Sequence, residues 1–191
     1  DFFVQNPESC GRAMPTFEVK TVDDQGNETL PGESGELWVR GAPVIKGYLN
    51  QPQATLETIT DGWLHTGDVA WIDDNKFIYI VDRVKDMVLR GGENIYCSEV
   101  ETVLFQMDQI AECSVFGIAD DRLGEEVGAA IYCREQEQAT AEQIRTFCSS
   151  RMAKHKIPRY LWLLDTPLPR NASGKFLKRE LKDQLPINQA L

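Results

Sequence analysis

Three short segments of this 191-residue sequence carry residue types that can do chemistry. In Gly62-Trp63-Leu64-His65-Thr66-Gly67-Asp68 a carboxylate follows a tight glycine turn at the start of a strand. An ionised carboxylate only accepts hydrogen bonds, so Asp68 can take two from a vicinal diol such as a ribose. The plainer reading is an Asx turn in which Asp68 ties down its own backbone. The second segment, Asp82-Arg83-Val84-Lys85-Asp86, is followed by Arg90-Gly91-Gly92-Glu93-Asn94-Ile95. Its charges mark a junction, and the glycine pair lets another group approach the backbone closely. As plain sequence it is an exposed linker with a β-turn. In the third, Pro169-Arg170-Asn171-Ala172-Ser173-Gly174-Lys175, a rigid start and a polar turn hold one lysine at a loop tip before a helix. A lysine so placed can reach a phosphate or carboxylate as a mobile point charge. This is no Walker loop, because the upstream glycine is missing and no Ser or Thr follows Lys175.

The elements that must position these groups fall into two kinds. Up to about Val81 the chain reads as antiparallel strands and turns: 17–22, 35–40, 69–72 and 77–81, with a short helical piece at 54–59. From about Val84 strands alternate with helices. Ser98 with Glu101 reads as a capping box opening a helix that buries Val100, Val103, Leu104 and Met107. Strands follow at 113–118, 127–132 and 160–164. Thr140 with Gln143 caps a second helix carrying Ile144, Phe147, Cys148 and Met152 inward, and a last helix over 176–184 lines up Leu177, Leu181 and Leu185. The expected class is α+β. A β-rich subdomain, 1–82, meets a polar junction, 83–86, and then a small domain, 87–191, with a mixed sheet flanked by helices.

Composition narrows the function. The formal charge of -10 makes the whole chain a poor partner for nucleic acid. Residues 151–191, however, hold nine Lys or Arg against three Asp or Glu, which points to an anionic ligand near that end or to a solvated helical face. No apolar run reaches the roughly 18 residues of a membrane span, and the first residues lack the order of a signal peptide. Cys10, Cys97, Cys113, Cys133 and Cys148 show neither zinc nor disulfide spacing and are read mostly as small core residues in a reducing, cytoplasmic setting. His65 and His155 are given no acid–base role. The opening residues resemble the middle of a protein more than its start.

Taken in order, GELWVRGAPVIKGYLNQP, DGWLHTGD, DRVKDMVLRGGENIYCSEVE and PRNASGK resemble the C-terminal half of the adenylate-forming superfamily of acyl-CoA synthetases, peptide-synthetase adenylation domains and firefly luciferase. The resemblance implies a two-step reaction. A carboxylic acid, fatty or aromatic, reacts with ATP and Mg²⁺ to give an acyl-adenylate, and coenzyme A (CoA) then displaces AMP to give a thioester. By motif position, Asp68 would hold the ribose hydroxyls with help from Arg83, and Lys175 would stabilise the α-phosphate and substrate carboxylate. The resemblance makes 83–86 a hinge, with Lys85 as the hinge residue, and 87–191 a mobile domain that swings between the two steps, so that Gly92 would border the pantetheine tunnel in the second. Gly47-Tyr48 matches a recurring segment of structural role.

Two departures stand out: Asp82 replaces the usual Gly before the hinge Arg, and Lys85 stands where other branches carry Asp. Neither removes a proposed catalytic group. The resemblance also places the ATP phosphate loop, the acyl pocket and most Mg²⁺ ligands upstream of residue 1, so the isolated fragment is expected to be inactive. A peptide-synthetase domain acylating a carrier protein, and a non-catalytic binding module, remain as alternatives.

Overall fold

The computed structural model describes residues 2–135 and 137–191. The chain divides into two compact units, Asp1–Lys85 and Asp86–Leu191. The division falls within the segment expected to be a hinge.

The first unit opens with a short helix, α1 (Phe2–Gln5), and is otherwise built on β1 (Phe17–Val22), β2 (Gly35–Gly41), α2 (Pro52–Thr58), β3 (Ile59–Thr60), β4 (Trp63–Ile72) and β5 (Ile78–Arg83). All strand pairings are antiparallel, in the order β1-β2-β4-β3, with β5 also on β4. Alternation along the strands turns Leu37, Ala70 and Ile78 into a small core, with Val19, Val39 and Ile72 packed on it. Gly47 and Tyr48 lie against α2, where Tyr48 N–H donates to Thr55 Oγ1 at 2.9 Å.

The second unit contains β6 (Val88–Arg90), β7 (Glu93–Ile95), α3 (Cys97–Leu104), β8 (Ile110–Asp120), β9 (Gly124–Cys133), α4 (Ala141–Ser149), β10 (Tyr160–Leu164) and α5 (Lys178–Gln184). Its sheet is mixed: β10 runs parallel to β9, while β8 and β6 pair with β9 antiparallel. Both faces are covered, so the strands read as continuous apolar runs whose alternate residues enter different cores. Val115, Val127, Ala129, Ile131 and Leu161 pack with Val100 and Leu104 of α3 and Ile144 and Cys148 of α4. On the opposite face Phe116, Ile118, Ala130 and Trp162 pack with Leu168 and with Leu181 of α5. The α+β class, with a β-rich part followed by a mixed sheet flanked by helices, is therefore the observed one.

Several local expectations need correcting. The helical piece expected at 54–59 is α2, and Ile59 instead pairs with Leu64 in β3. The expected strand at 69–72 is the end of the ten-residue β4, which already begins at Trp63. The segment read as linker and turn, 90–95, is a hairpin of β6 and β7 with Arg90 paired to Glu93. Ser98 does not open its helix: α3 begins at Cys97 with Tyr96 at the N-cap position. Glu101 is drawn away from capping, accepting from Val115 N–H at 2.8 Å and pairing with Lys178 Nζ at 2.9 Å. Thr140 and Gln143 do form a capping box, with both reciprocal hydrogen bonds present. The last helix begins at Lys178, because Phe176 is used in a bridge with Arg170.

Candidate active site

Asp68 is set by a bulge in β4. Glu36 pairs with Val69 and Trp38 with His65, so Thr66, Gly67 and Asp68 together face Leu37 alone. The extra residues bend the chain out, and Gly67 has a φ of +71°, a left-handed conformation that suits glycine. Their backbone is satisfied locally. Gly67 N–H donates to Glu36 Oε1 at 3.0 Å, Thr66 Oγ1 donates to Leu37 O at 2.7 Å, and Asp68 N–H donates to Thr66 Oγ1 at 3.1 Å. The Asp68 carboxylate is thereby left for a long-range partner. Across the ladder Asp68 stands opposite Arg83, and their side chains pair at 2.9 Å with the carboxylate partly open to solvent. The structure thus joins two of the sequence-predicted site residues into one acceptor–cation pair. His65 lies outside that pair: its ring stacks on Trp38 at 3.9 Å, and its Nε2 is buried without a hydrogen-bond partner.

Lys85 sits exposed on a 3₁₀ turn, Val84–Asp86. Gly91 and Gly92 form the two-residue tip of the β6–β7 hairpin, with φ values of +59° and +89°. Positive φ at both central positions is the type I′ requirement, which explains the glycine pair. A Cβ added at Gly92 would meet nothing within 4 Å, whereas one at Gly91 would crowd Leu123 at 3.1 Å, so the tip is open on its Gly92 side. The base of this hairpin is held from inside the unit. Both Arg90 Nε (2.7 Å) and a terminal nitrogen (3.0 Å) donate to the carboxylate of Glu126, whose side chain is only 3% exposed. Arg159 adds a third contact to Glu126 at 3.2 Å. Burial by itself would raise the Glu126 pKa, but the hydrogen bonds and charge of Arg90, then of Arg159, outweigh it and hold the carboxyl below its usual range.

Lys175 is exposed at the end of the Asn171–Lys175 loop, and no ion pair among the described residues engages its ammonium. Asn171 organises the loop. Its Oδ1 accepts from Ser173 N–H and Lys175 N–H, each at 3.0 Å, and its own N–H donates to Lys175 O at 2.9 Å. With both backbone groups of Lys175 fixed, only its side chain is free to act. Gly92 and Lys175 stand on separate loops of the second unit.

Sequence reasoning passed over three carboxylates that hold these loops: Glu36, Glu112 and Glu126. The available signal was an acidic residue set in an apolar strand, in GELWVRG, AECSVFGI and GEEVGAAI. Among the described residues no cluster of three or more His, Cys, Asp or Glu could hold a metal ion. Nor is any described helix long and apolar enough to cross a membrane.

The AMP-binding enzyme family matches residues 3–49, and the AMP-binding enzyme C-terminal domain matches residues 99–175. The chain belongs to the AMP-binding, adenylate-forming enzymes. Its curated relatives are CoA ligases. It is 43% identical over 187 residues to the mitochondrial medium-chain acyl-CoA ligase ACSF2 of Bos taurus, covering 97% of this chain and 30% of that protein. It is 40% identical over 181 residues to the 2-succinylbenzoate–CoA ligase of Geobacillus sp. (strain WCH70), covering 95% and 36%. The o-succinylbenzoate-CoA synthetase MenE of Bacillus subtilis, in complex with its acyl-adenylate intermediate, superposes with a TM-score of 0.84 at 38% identity over 95% of this chain and 37% of MenE. ATP-bound MatB of Rhodopseudomonas palustris gives a TM-score of 0.86 at 31% identity over 93% and 35%. The chain therefore spans about a third of the length of these relatives.

Proposed function

We propose that this chain is part of an AMP-forming acid–thiol ligase that converts a carboxylic acid, fatty or aromatic, into its CoA thioester. The observation that carries this is the Asp68–Arg83 pair in a chain whose relatives over nearly its whole length are CoA ligases. In the first half-reaction the substrate carboxylate attacks the α-phosphorus of ATP, the bond to pyrophosphate breaks, and an acyl-adenylate forms. In the second the CoA thiol attacks the acyl carbonyl, its proton passes to solvent, and AMP leaves.

Each named residue has work in that scheme. Asp68 accepts from the two ribose hydroxyls, and Arg83, paired with it at 2.9 Å, keeps it oriented. Adenylation brings a carboxylate against a triphosphate, and the two repel. A cation delivered to that point from Lys175 stabilises the charge that builds up in the transition state. The attacking group is already a carboxylate, so no general base is needed. Mg²⁺, when bound, supplies charge neutralisation on the phosphates, and none of its ligands is assigned here. The segment 83–86, with Lys85, is the hinge on which the domain of 87–191 moves between half-reactions. Gly92 then borders the pantetheine path, where a bare backbone leaves room for the thiol arm. Buried free thiols at Cys97, Cys113 and Cys148 fit a reducing compartment such as the cytoplasm.

The test uses the longer enzyme that carries this chain. ATP–pyrophosphate exchange is measured over short, long and aromatic acids, with thioester formation followed with and without CoA. Exchange with one acid class plus CoA-dependent thioester is the expected result. Exchange without a CoA thioester would move the acceptor to a carrier protein, and no exchange with any acid would overturn the ligase reading.

A further inference from the structure

The loop that bears Lys175 is fastened to the sheet by an arginine used on three sides. One terminal nitrogen of Arg170 donates to Gly174 O at 2.8 Å, inside the loop itself. The other donates to Glu112 Oε1 at 2.9 Å, on β8. Its flat face lies over the Phe176 ring at 4.1 Å, just beyond the loop. The second carboxylate oxygen of Glu112 accepts from Leu168 N–H at 2.7 Å, upstream of the loop. Glu112 therefore grips the chain before the loop, and Arg170 couples that grip to the carbonyl of the residue next to Lys175. A lysine in place of Arg170 could not do this, because only the planar guanidinium offers a rigid fork and a stacking face together.

We propose that Arg170 and Glu112 are the positioning pair of the adenylation half-reaction, setting where Lys175 delivers its charge. This rests on the role given to Lys175 above. Neither residue touches substrate. Their effect passes through the backbone of Gly174 and Lys175, and a displacement of about 1 Å at a reacting centre can cost on the order of a hundredfold in rate. The pair lies nearer the surface than the Arg90–Glu126 pair, with Arg170 at 44% and Glu112 at 19% of side-chain exposure. Its work is geometric more than stabilising.

A double-mutant cycle in the longer enzyme separates positioning from general damage. Arg170→Met, with Glu112→Gln as the second variant, should lower carboxylate-dependent pyrophosphate exchange roughly tenfold to a hundredfold in kcat. KM for ATP should stay within about twofold. Thioester formation from a preformed acyl-adenylate should be unchanged, which also shows that the variant is folded. In a Lys175→Ala background either variant should cause no further loss. Losses that multiply with Lys175→Ala, or that fall equally on both half-reactions, would overturn the positioning role while leaving the Lys175 reading intact. A Lys175→Ala enzyme with undiminished exchange would instead overturn that reading, and the proposal with it. Arg170→Lys should recover little of the Arg170→Met loss; full recovery would show that charge suffices and would likewise overturn the proposal.

Discussion

The Lys175 loop and the Gly91–Gly92 hairpin tip are each held by an arginine on a glutamate, but at different depths. Glu126, which holds Arg90, is 3% exposed and takes three hydrogen bonds from two arginines, whereas Glu112 is 19% and its partner Arg170 44% exposed. A buried carboxylate left without its partner is costly, while an exposed ion pair contributes little net stability. The hairpin brace is therefore part of what keeps the domain folded. The lysine brace instead fixes the place of one exposed side chain, Lys175. Both loop tips are exposed; what differs is the depth of the carboxylate that anchors each one.

The largest expected effect tests this contrast at its deep end. Arg90→Met should lower the unfolding free energy by about 3 kcal/mol, read from a urea transition, because Glu126 keeps only Arg159. A loss below about 1 kcal/mol would show that depth does not distinguish the braces. Acid should expose the same group. Glu126 has a folded pKa below its unfolded value, so its contribution is present above the ordinary carboxylate range near 4.3 and is lost as pH falls through the lower folded value. Glu126→Gln should flatten the decline of stability between about pH 5 and 3; an unchanged acid limb would deny Glu126 that role.

How much of this was legible is clear from two similar sequence signals. Thr140 with Gln143 and Ser98 with Glu101 carry the same capping pattern, but only the first forms a cap. Capping is local, and nothing distant competes for Gln143. Glu101 is claimed by Val115 and by Lys178, 77 residues further on, and no local pattern records that. The alternating apolar strands of the second unit and its helical stripes were readable because burial on two faces leaves a periodic trace. Asp68, Arg83, Gly92 and Lys175 were singled out through resemblance, and the structure adds that Asp68 and Arg83 are joined across a bulged ladder. The supporting carboxylates Glu112 and Glu126 left only the trace of an acid in an apolar strand, and their partners, 58 and 36 residues away, left none.

Smaller effects sharpen the comparison at its exposed end. Gly92→Ala should cost about 1 kcal/mol from the left-handed backbone, with the surrounding space open, and should spare both half-reactions. Gly92→Leu should add to the same strain a selective loss of thioester formation. Equal kinetic behaviour of the two variants would remove Gly92 from the thiol path. Smallest of all, Arg170→Met should shift the urea transition by less than about 1 kcal/mol despite its effect on adenylation. A shift as large as that of Arg90→Met would make both braces structural.

The most direct measurement is the pair of half-reaction rates of Lys175→Ala in the longer enzyme. The account predicts that carboxylate-dependent pyrophosphate exchange falls about 10²–10³-fold while transfer from a preformed acyl-adenylate to CoA stays within a few-fold of the unmodified enzyme. Equal losses in the two half-reactions would contradict it.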